Sequence, residues 1–249
     1  MGYSGGLDWL KRPIAHRGLH DRKTGIVENT ASAVEAAIAA GYGMELDLRP
    51  AKGHVPVVFH DETLERLTEG EGPVCEHDVE TLRQLPMRDT DDRILALPEL
   101  LDLVAGRAPL ILEIKSEWNG DPRYEENITE ALKTYSGPVA IMSFDPYCVA
   151  RFRTLAPDLP RGLVAEWMSR RTWQKRIGIW QRFAMRHLLT ASIARPHFIA
   201  YDIRALPTTA TRIARSLGLP LLTWTVRTEA DRTRAEALTD AIIFEEIRV

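Results

Sequence analysis

The chain has 249 residues, 45% of them apolar and 27% charged, with a formal net charge of −3. That balance suits a soluble globular protein with a substantial core, excludes a disordered or collagen-like chain, and gives no footing for nucleic-acid binding. The opening MGYSGGLDWLKRP contains no apolar signal-type region, no run is long enough to cross a membrane, and Cys75 and Cys148 lack metal-type spacing, so the expected compartment is the reducing cytoplasm.

Apolar strand-like runs alternate with helical patterns along the whole chain. Pro13-Ile14-Ala15 leads into His16-Arg17-Gly18, and Thr30 to Ala40 predicts an Ala-rich helix stopped by Gly41. Gly43 to Leu48 (GMELDL) is a strand with two acids in alternation, and Val55 to Phe59 a second apolar run ending in His60-Asp61. A short helix around Glu99 to Val104 precedes a second acid-bearing strand, Leu110 to Lys115 (LILEIK). Helix Tyr124 to Tyr135, strand Val139 to Phe144, helix Pro146 to Leu155 and a weaker strand Pro160 to Ala165 follow. His197 to Ile203, Pro220 to Val226 and Ala241 to Phe244 read as strands, separated by helices at Pro207 to Leu217 and Glu229 to Leu238.

This alternation implies βαβ units and a parallel sheet. The gap between Leu48 and Val55 is too short for a parallel crossover, so Val55 to Phe59 is expected to return antiparallel, like a hairpin. Eight strands remain, and no Gly-rich dinucleotide turn follows the first. The predicted class is α/β, a (β/α)8 TIM barrel with a short hairpin-like insertion after the second strand, forming one domain over residues 1–249.

In such a barrel, function gathers at the carboxyl ends of the strands. Residues at i and i+2 of a strand share a face, which puts Glu45 beside Asp47 and Glu113 beside Lys115. Adjacent acids are costly unless something positive lies between them. Three carboxylates from neighbouring strands form an all-oxygen set suited to Mg²⁺ or Ca²⁺. With a divalent ion, Arg17 and Lys115, the cluster carries about one positive charge and can take a monoanionic phosphodiester. His16 and His60 supply two groups that exchange protons near neutral pH. Asp61 either orients His60 or caps the segment after it, and Glu28 and Asn29 either cap the following helix or support the site from behind.

The ordered set IAHRG, Glu28-Asn29-Thr30, ELD at Glu45 to Asp47, VVFHDETL, LEIK, SFD and the WTV around Trp224 resembles the glycerophosphodiester phosphodiesterases over nearly the whole chain. The resemblance implies a barrel enzyme that hydrolyses glycerophosphodiesters to glycerol 3-phosphate and an alcohol with a divalent metal. By it, Glu45, Asp47 and Glu113 match metal ligands, His16 and His60 the catalytic pair, Arg17 and Lys115 the phosphate contacts, and Trp224 an aromatic wall near the glycerol. The sequence departs from the pattern in two places. Val27 stands where the family usually has proline, and the closing DAIIFEEI lacks the usual glycine and Thr-Asp pair, with Glu245 in place of a strand-end acid.

Residues 166–196 are least like the family: Arg170, Arg171, Lys175, Arg176, Arg182, Arg186 and Arg195 alternate with Trp167, Trp173, Trp180 and Phe183. The favoured reading has the tryptophans packed on the barrel and the arginines solvated; the rival is contact with an anionic membrane surface by an enzyme acting on lipid head groups. The remaining histidines, His20, His54, His77, His187 and His197, are expected at the surface or in loops.

Overall fold

A computed structural model describes residues 6–169 and 171–249 of the chain; Arg170 lies outside the described residues. The strands are β1 (Ile14–His16), β2 (Gly43–Pro50), β3 (Pro56–Val58), β4 (Leu110–Ile114), β5 (Val139–Ser143), β6 (Arg161–Ala165), β7 (Phe198–Asp202), β8 (Leu221–Val226) and β9 (Ala241–Phe244). The helices are α1 (Ala31–Ala39), α2 (Val79–Gln84), α3 (Leu97–Val104), α4 (Arg123–Leu132), α5 (Pro146–Leu155), α6 (Arg171–Arg176), α7 (Ile179–Arg186), α8 (Ala191–Ala194), α9 (Thr209–Ser216) and α10 (Glu229–Leu238). All strands but β3 pair in parallel, and β1 pairs with both β2 and β9, which closes the ring into the predicted eight-stranded barrel. β3 runs antiparallel on β2, with Leu48 opposite Val58 and Pro50 opposite Pro56, as the short connection requires.

The register shows which side chains face inward. Ile14 aligns with Gly43 and Ile243, Ile111 with Ala140 and Glu45, and Phe198 with Gly162. Ile14, Ile111, Ala140, Met142, Val164, Phe198, Ala200, Leu222 and Ile243 fill the lumen as one apolar cluster. Phe198 takes so much of it that a Cβ on Gly162 would meet its ring at 2.2 Å. Leu10, buried against the same cluster, stoppers the amino end. Further along the inward stripe of β1, β2 and β4 the apolar residues give way to His16, Glu45, Asp47 and Glu113. The charged residues therefore sit where the lumen opens at the carboxyl end.

The outward stripe packs under the helices. Leu46, Leu48, Leu112, Leu163 and Tyr201 join Val34, Leu101, Phe152 and other helical side chains in the main core. Each helix starts where its chemistry allows. The Thr30 hydroxyl accepts from the Ala33 amide, Asp145 from Tyr147, Thr208 from Thr211 and Thr228 from Asp231. Gly41 has φ +76° after α1, in the left-handed region that ends helices. Beyond β3, residues 59–96 wrap a second core of Phe59, Leu64, Leu67, Leu82, Met87 and Ile94 under the loop that carries His60.

α5, α10 and β9 fall on their predicted bounds, while α2 and the three helices of 166–196 do not announce themselves in sequence. In that segment the predicted packing holds only for Trp173. Trp180 is 81% exposed and Trp167 44%, because Ile177, Met185 and Leu188 take the inward positions. α7 is amphipathic, with its apolar face turned to solvent. His20 and His197 lie in loops, as expected, and are part-buried there. His20 is 3.9 Å from Glu245, and His197 Nδ1 accepts from the amide of Arg161, the first residue of β6.

Candidate active site

β2 is the spine of the site. Glu45 and Asp47 point into the lumen from consecutive inward positions, and Glu113 stands beside Asp47 on β4. Oxygens of the three lie within 4.8 Å of one another, the one such acidic or histidine cluster among the described residues. All three are buried. Glu45 Oε1 accepts no hydrogen bond among the described residues. Burial, then the charges of Asp47 and Glu113, push the Glu45 carboxyl well above its ordinary range. Burial works the same way on Asp47, but Lys115, His60, Arg17 and His16 hold it well below. Three crowded carboxylates in a dry recess, with an oxygen of Glu45 left unused, fit a hard divalent cation held by oxygen.

The Lys115 ammonium lies among them, 2.5 Å from Glu113 Oε1 and 2.8 Å from Asp47 Oδ1. Burial would lower its pKa, yet these carboxylates raise it, so it stays charged. Arg17 follows β1 in a left-handed conformation, φ +56°, which turns its backbone amide onto Glu45 Oε2 at 3.2 Å. Its guanidinium bonds Glu28 at 2.6 Å, with Nε 3.2 Å from Asp47. Gly18 completes this turn at φ +77°, where a Cβ would strike Ala33 at 2.9 Å.

The residues read as either capping or supporting lie against these groups. Asn29, itself left-handed and buried, grips Asp47 twice: Nδ2 donates to Oδ2 at 2.9 Å and Oδ1 accepts from the Asp47 amide at 3.1 Å. Thr30, rather than Glu28 or Asn29, caps α1. Glu28 lies between Arg17 and Arg66; burial opposes its ionisation, but the two guanidinium groups hold its carboxyl at about 2. Arg66 also pairs with Asp61, which in turn bonds His60 Nδ1 at 2.7 Å. Asp61 thus bonds the His60 ring and caps no helix among the described residues. Arg66 was not foreseeable, because nothing in a loop arginine tells which distant acid it meets.

His16 is held in the same way from the opposite side. Its Nδ1 lies 2.7 Å from Glu245 Oε2, and Nε2 lies 3.8 Å from Glu45. Burial opposes the charge on Glu245, but His16, Arg227 and His20 keep its carboxyl at about 2. Hydrogen bonds to His60 and Arg66 likewise outweigh burial at Asp61 and hold it low. Ionised carboxylates only accept, so each imidazole carries its proton on Nδ1 and presents Nε2 to the cavity. Burial, with Arg17 adding to it, pulls the His16 pKa down, which keeps the neutral ring available.

A cavity of about 680 Å³ opens over these groups. Its far wall is aromatic: Trp224 meets Phe144 edge-on at 5.7 Å, Phe144 lies 5.0 Å from Trp173, and Trp173 meets Trp118 at 6.1 Å. Trp173 donates its indole N–H to Glu166 at 2.6 Å. Of this wall only Trp224 is readable from a motif. Ser143 and Asp145, also at a strand end, serve structure instead: Ser143 bonds the Ile114 carbonyl, and Asp145 caps α5 and accepts from Ser116.

Comparison with known proteins gives the family and the fold. Residues 16–249 match the model of the glycerophosphoryl diester phosphodiesterase family. The chain belongs to that family. A glycerophosphodiester phosphodiesterase from Caldanaerobacter subterraneus subsp. tengcongensis is 37% identical over 162 residues, 61% of this chain and 65% of that protein, so the match spans just under two thirds of that relative. One from Bacillus subtilis is 29% identical over 89% of this chain and 78% of its own. Two solved structures share the barrel. An Oleispira antarctica phosphodiesterase in complex with its product sn-glycerol-3-phosphate superposes with a TM-score of 0.79 at 21% identity, covering 95% of this chain and 94% of that one. A glycerophosphodiester phosphodiesterase from Agrobacterium tumefaciens gives 0.71 at 21% identity over 94% and 95%.

Proposed function

We propose that this family member hydrolyses glycerophosphodiesters to glycerol 3-phosphate and an alcohol, with a divalent cation, Mg²⁺ or Ca²⁺, held by Glu45, Asp47 and Glu113. The observation that carries the reading is the pair of imidazoles, each anchored through Nδ1 by its own carboxylate, flanking the buried carboxylate cluster at one cavity mouth. Bound there, the cation would draw charge from the phosphoryl oxygens and offset what builds up on them in the transition state.

The chain's own groups do the rest. Arg17 and Lys115 stand beside the cluster and supply cationic donors for a phosphate that arrives there. Glu28 and Arg66 offset one another, so Arg17 keeps its charge for the substrate. One imidazole, neutral, takes at Nε2 a proton from the attacking oxygen; the other enters as the imidazolium, with a second proton on Nε2, and gives that proton to the departing alcohol oxygen. Asn29 keeps Asp47 from rotating, and Trp224 offers an apolar face to the carbon skeleton of the glycerol.

The test is glycerol 3-phosphate release from glycerophosphocholine by the purified protein, with chelator and with Mg²⁺ or Ca²⁺ restored. Activity should vanish with chelator and return with one of the ions. His16→Ala and His60→Ala should each lower kcat by about 10²–10⁴-fold while substrate still binds. A histidine variant with near-normal kcat, or full activity in excess chelator, would overturn the reading.

A further inference from the structure

The segment between β6 and β7 does two things at once. On its inner side Ile177, Met185 and Leu188 seat it in the main core, and Trp173 and Arg176 reach the cavity wall. Its outer side carries an apolar face that nothing among the described residues covers. Ile179 is 68% exposed, Trp180 81% and Phe183 51%. They lie at i, i+1 and i+4 of α7 and so share one side of that helix. A helix whose only task was to seal the barrel would turn polar residues there.

The charge of the segment is one-sided, although Glu62 from outside it pairs with Arg176 at 2.6 Å. Residues 166–196 contain seven arginines and lysines and a single acid, Glu166, which is buried and takes the Trp173 indole N–H. The chain as a whole is net negative, so the rest of it is acidic and the positive charge is concentrated here. Arg182 and Arg186 lie on α7 itself, Lys175 and Arg176 just before it, and the Arg186 guanidinium sits 3.7 Å above the half-exposed Trp167 ring. A symmetric contact between two copies would set these charges against their own kind. An anionic lipid surface meets both features: aromatic rings enter the headgroup region while basic side chains face lipid phosphates.

We propose that α7 and its basic flanks dock the protein on anionic bilayers, with Ile179, Trp180 and Phe183 entering the interface and the cavity mouth held close to the lipid headgroups. This goes beyond the hydrolysis proposed above and does not depend on it.

The test is co-sedimentation of the full chain with vesicles of phosphatidylcholine alone and of phosphatidylcholine mixed with phosphatidylglycerol. The protein should sediment with the mixed vesicles only, and less so as salt rises. The triple substitution Ile179→Ser, Trp180→Ser, Phe183→Ser should weaken partition by about tenfold or more. Lys175→Glu with Arg182→Glu should also weaken it, by about fivefold for each charge removed. Both variants should turn over soluble glycerophosphocholine as the parent does, which establishes that they fold. A parent that stays in the supernatant with both vesicles, a triple variant that sediments like the parent, or a lipid-free dimer dissolved by the same substitutions would each overturn the proposal. Absent turnover by the parent would count against the hydrolytic reading alone; circular dichroism then establishes folding.

Discussion

The two walls of the cavity come from one barrel but follow opposite rules. On β1, β2 and β4 the inward side chains near the mouth are ionisable, and bonds of known length hold them: Asn29 and Lys115 on Asp47, Glu245 on His16, Asp61 on His60. Facing them, Phe144, Trp173 and Trp224 touch through ring edges, and the buried Trp224 indole nitrogen has no hydrogen-bond partner among the described residues. Buried charges need directional partners at fixed distances, whereas apolar rings tolerate sliding. A wall of the first kind suits the part of a substrate where bonds change, and one of the second kind suits a part that only has to fit.

The sharpest way to break this contrast is Asp47→Asn. It removes a ligand charge while leaving size and the Asn29 contact nearly intact, and should lower kcat/KM by about 10³-fold or more. Retained activity together with retained metal, measured by elemental analysis, would mean that Asp47 is not one of the cation's ligands. Glu245→Gln should cost about 10–100-fold in kcat with little change in KM. Because Glu245 raises the His16 pKa against burial, the pH-profile limb that belongs to His16 should move to lower pH; an unmoved profile would reduce Glu245 to packing. On the other wall, Trp224→Ala should raise KM about tenfold and leave kcat within a few-fold. A collapse of kcat there would erase the distinction between the walls.

The smallest effect concerns stability. Glu28 and Glu245 hold native carboxyl pKa values at about 2, below the ordinary 4.5. Their contribution is therefore complete above pH 4.5 and fades as pH falls toward 2. Glu28→Gln should cost on the order of 1–3 kcal/mol at neutral pH and flatten that acid decline. Melting temperatures across the acid range decide it, and parallel curves for the two proteins would count against the Glu28 pairing.

The charged wall was legible in the sequence because it is local. Alternation along β2 and β4 places Glu45, Asp47, Glu113 and Lys115 on one face before any fold is known, and His60 follows the short return strand. The barrel was legible for a similar reason: too few residues join Leu48 to Val55 for a parallel crossover, which left eight strands to close. Beyond Trp224 the aromatic wall was not legible, because Trp118, Phe144 and Trp173 converge from three separate loops and segments with no shared period. Arg66 was hidden likewise, since it meets Glu28 only after residues 59–96 fold over their own small core. The exposed face of α7 escaped for another reason: an apolar helix stripe looks the same in sequence whether it turns inward or outward.

Glu245 sits one residue past β9, the strand that closes the ring by pairing Ile243 with Ile14 and Phe244 with Ala15. The first strand presents His16, but the carboxylate that fixes its tautomer is delivered only by the last. A chain whose final strand is missing, unpaired or slipped in register would hold most of the site's groups with one imidazole unoriented. In a folding experiment the onset of turnover should therefore lag behind the formation of secondary structure and mark the moment the first and last strands zip together.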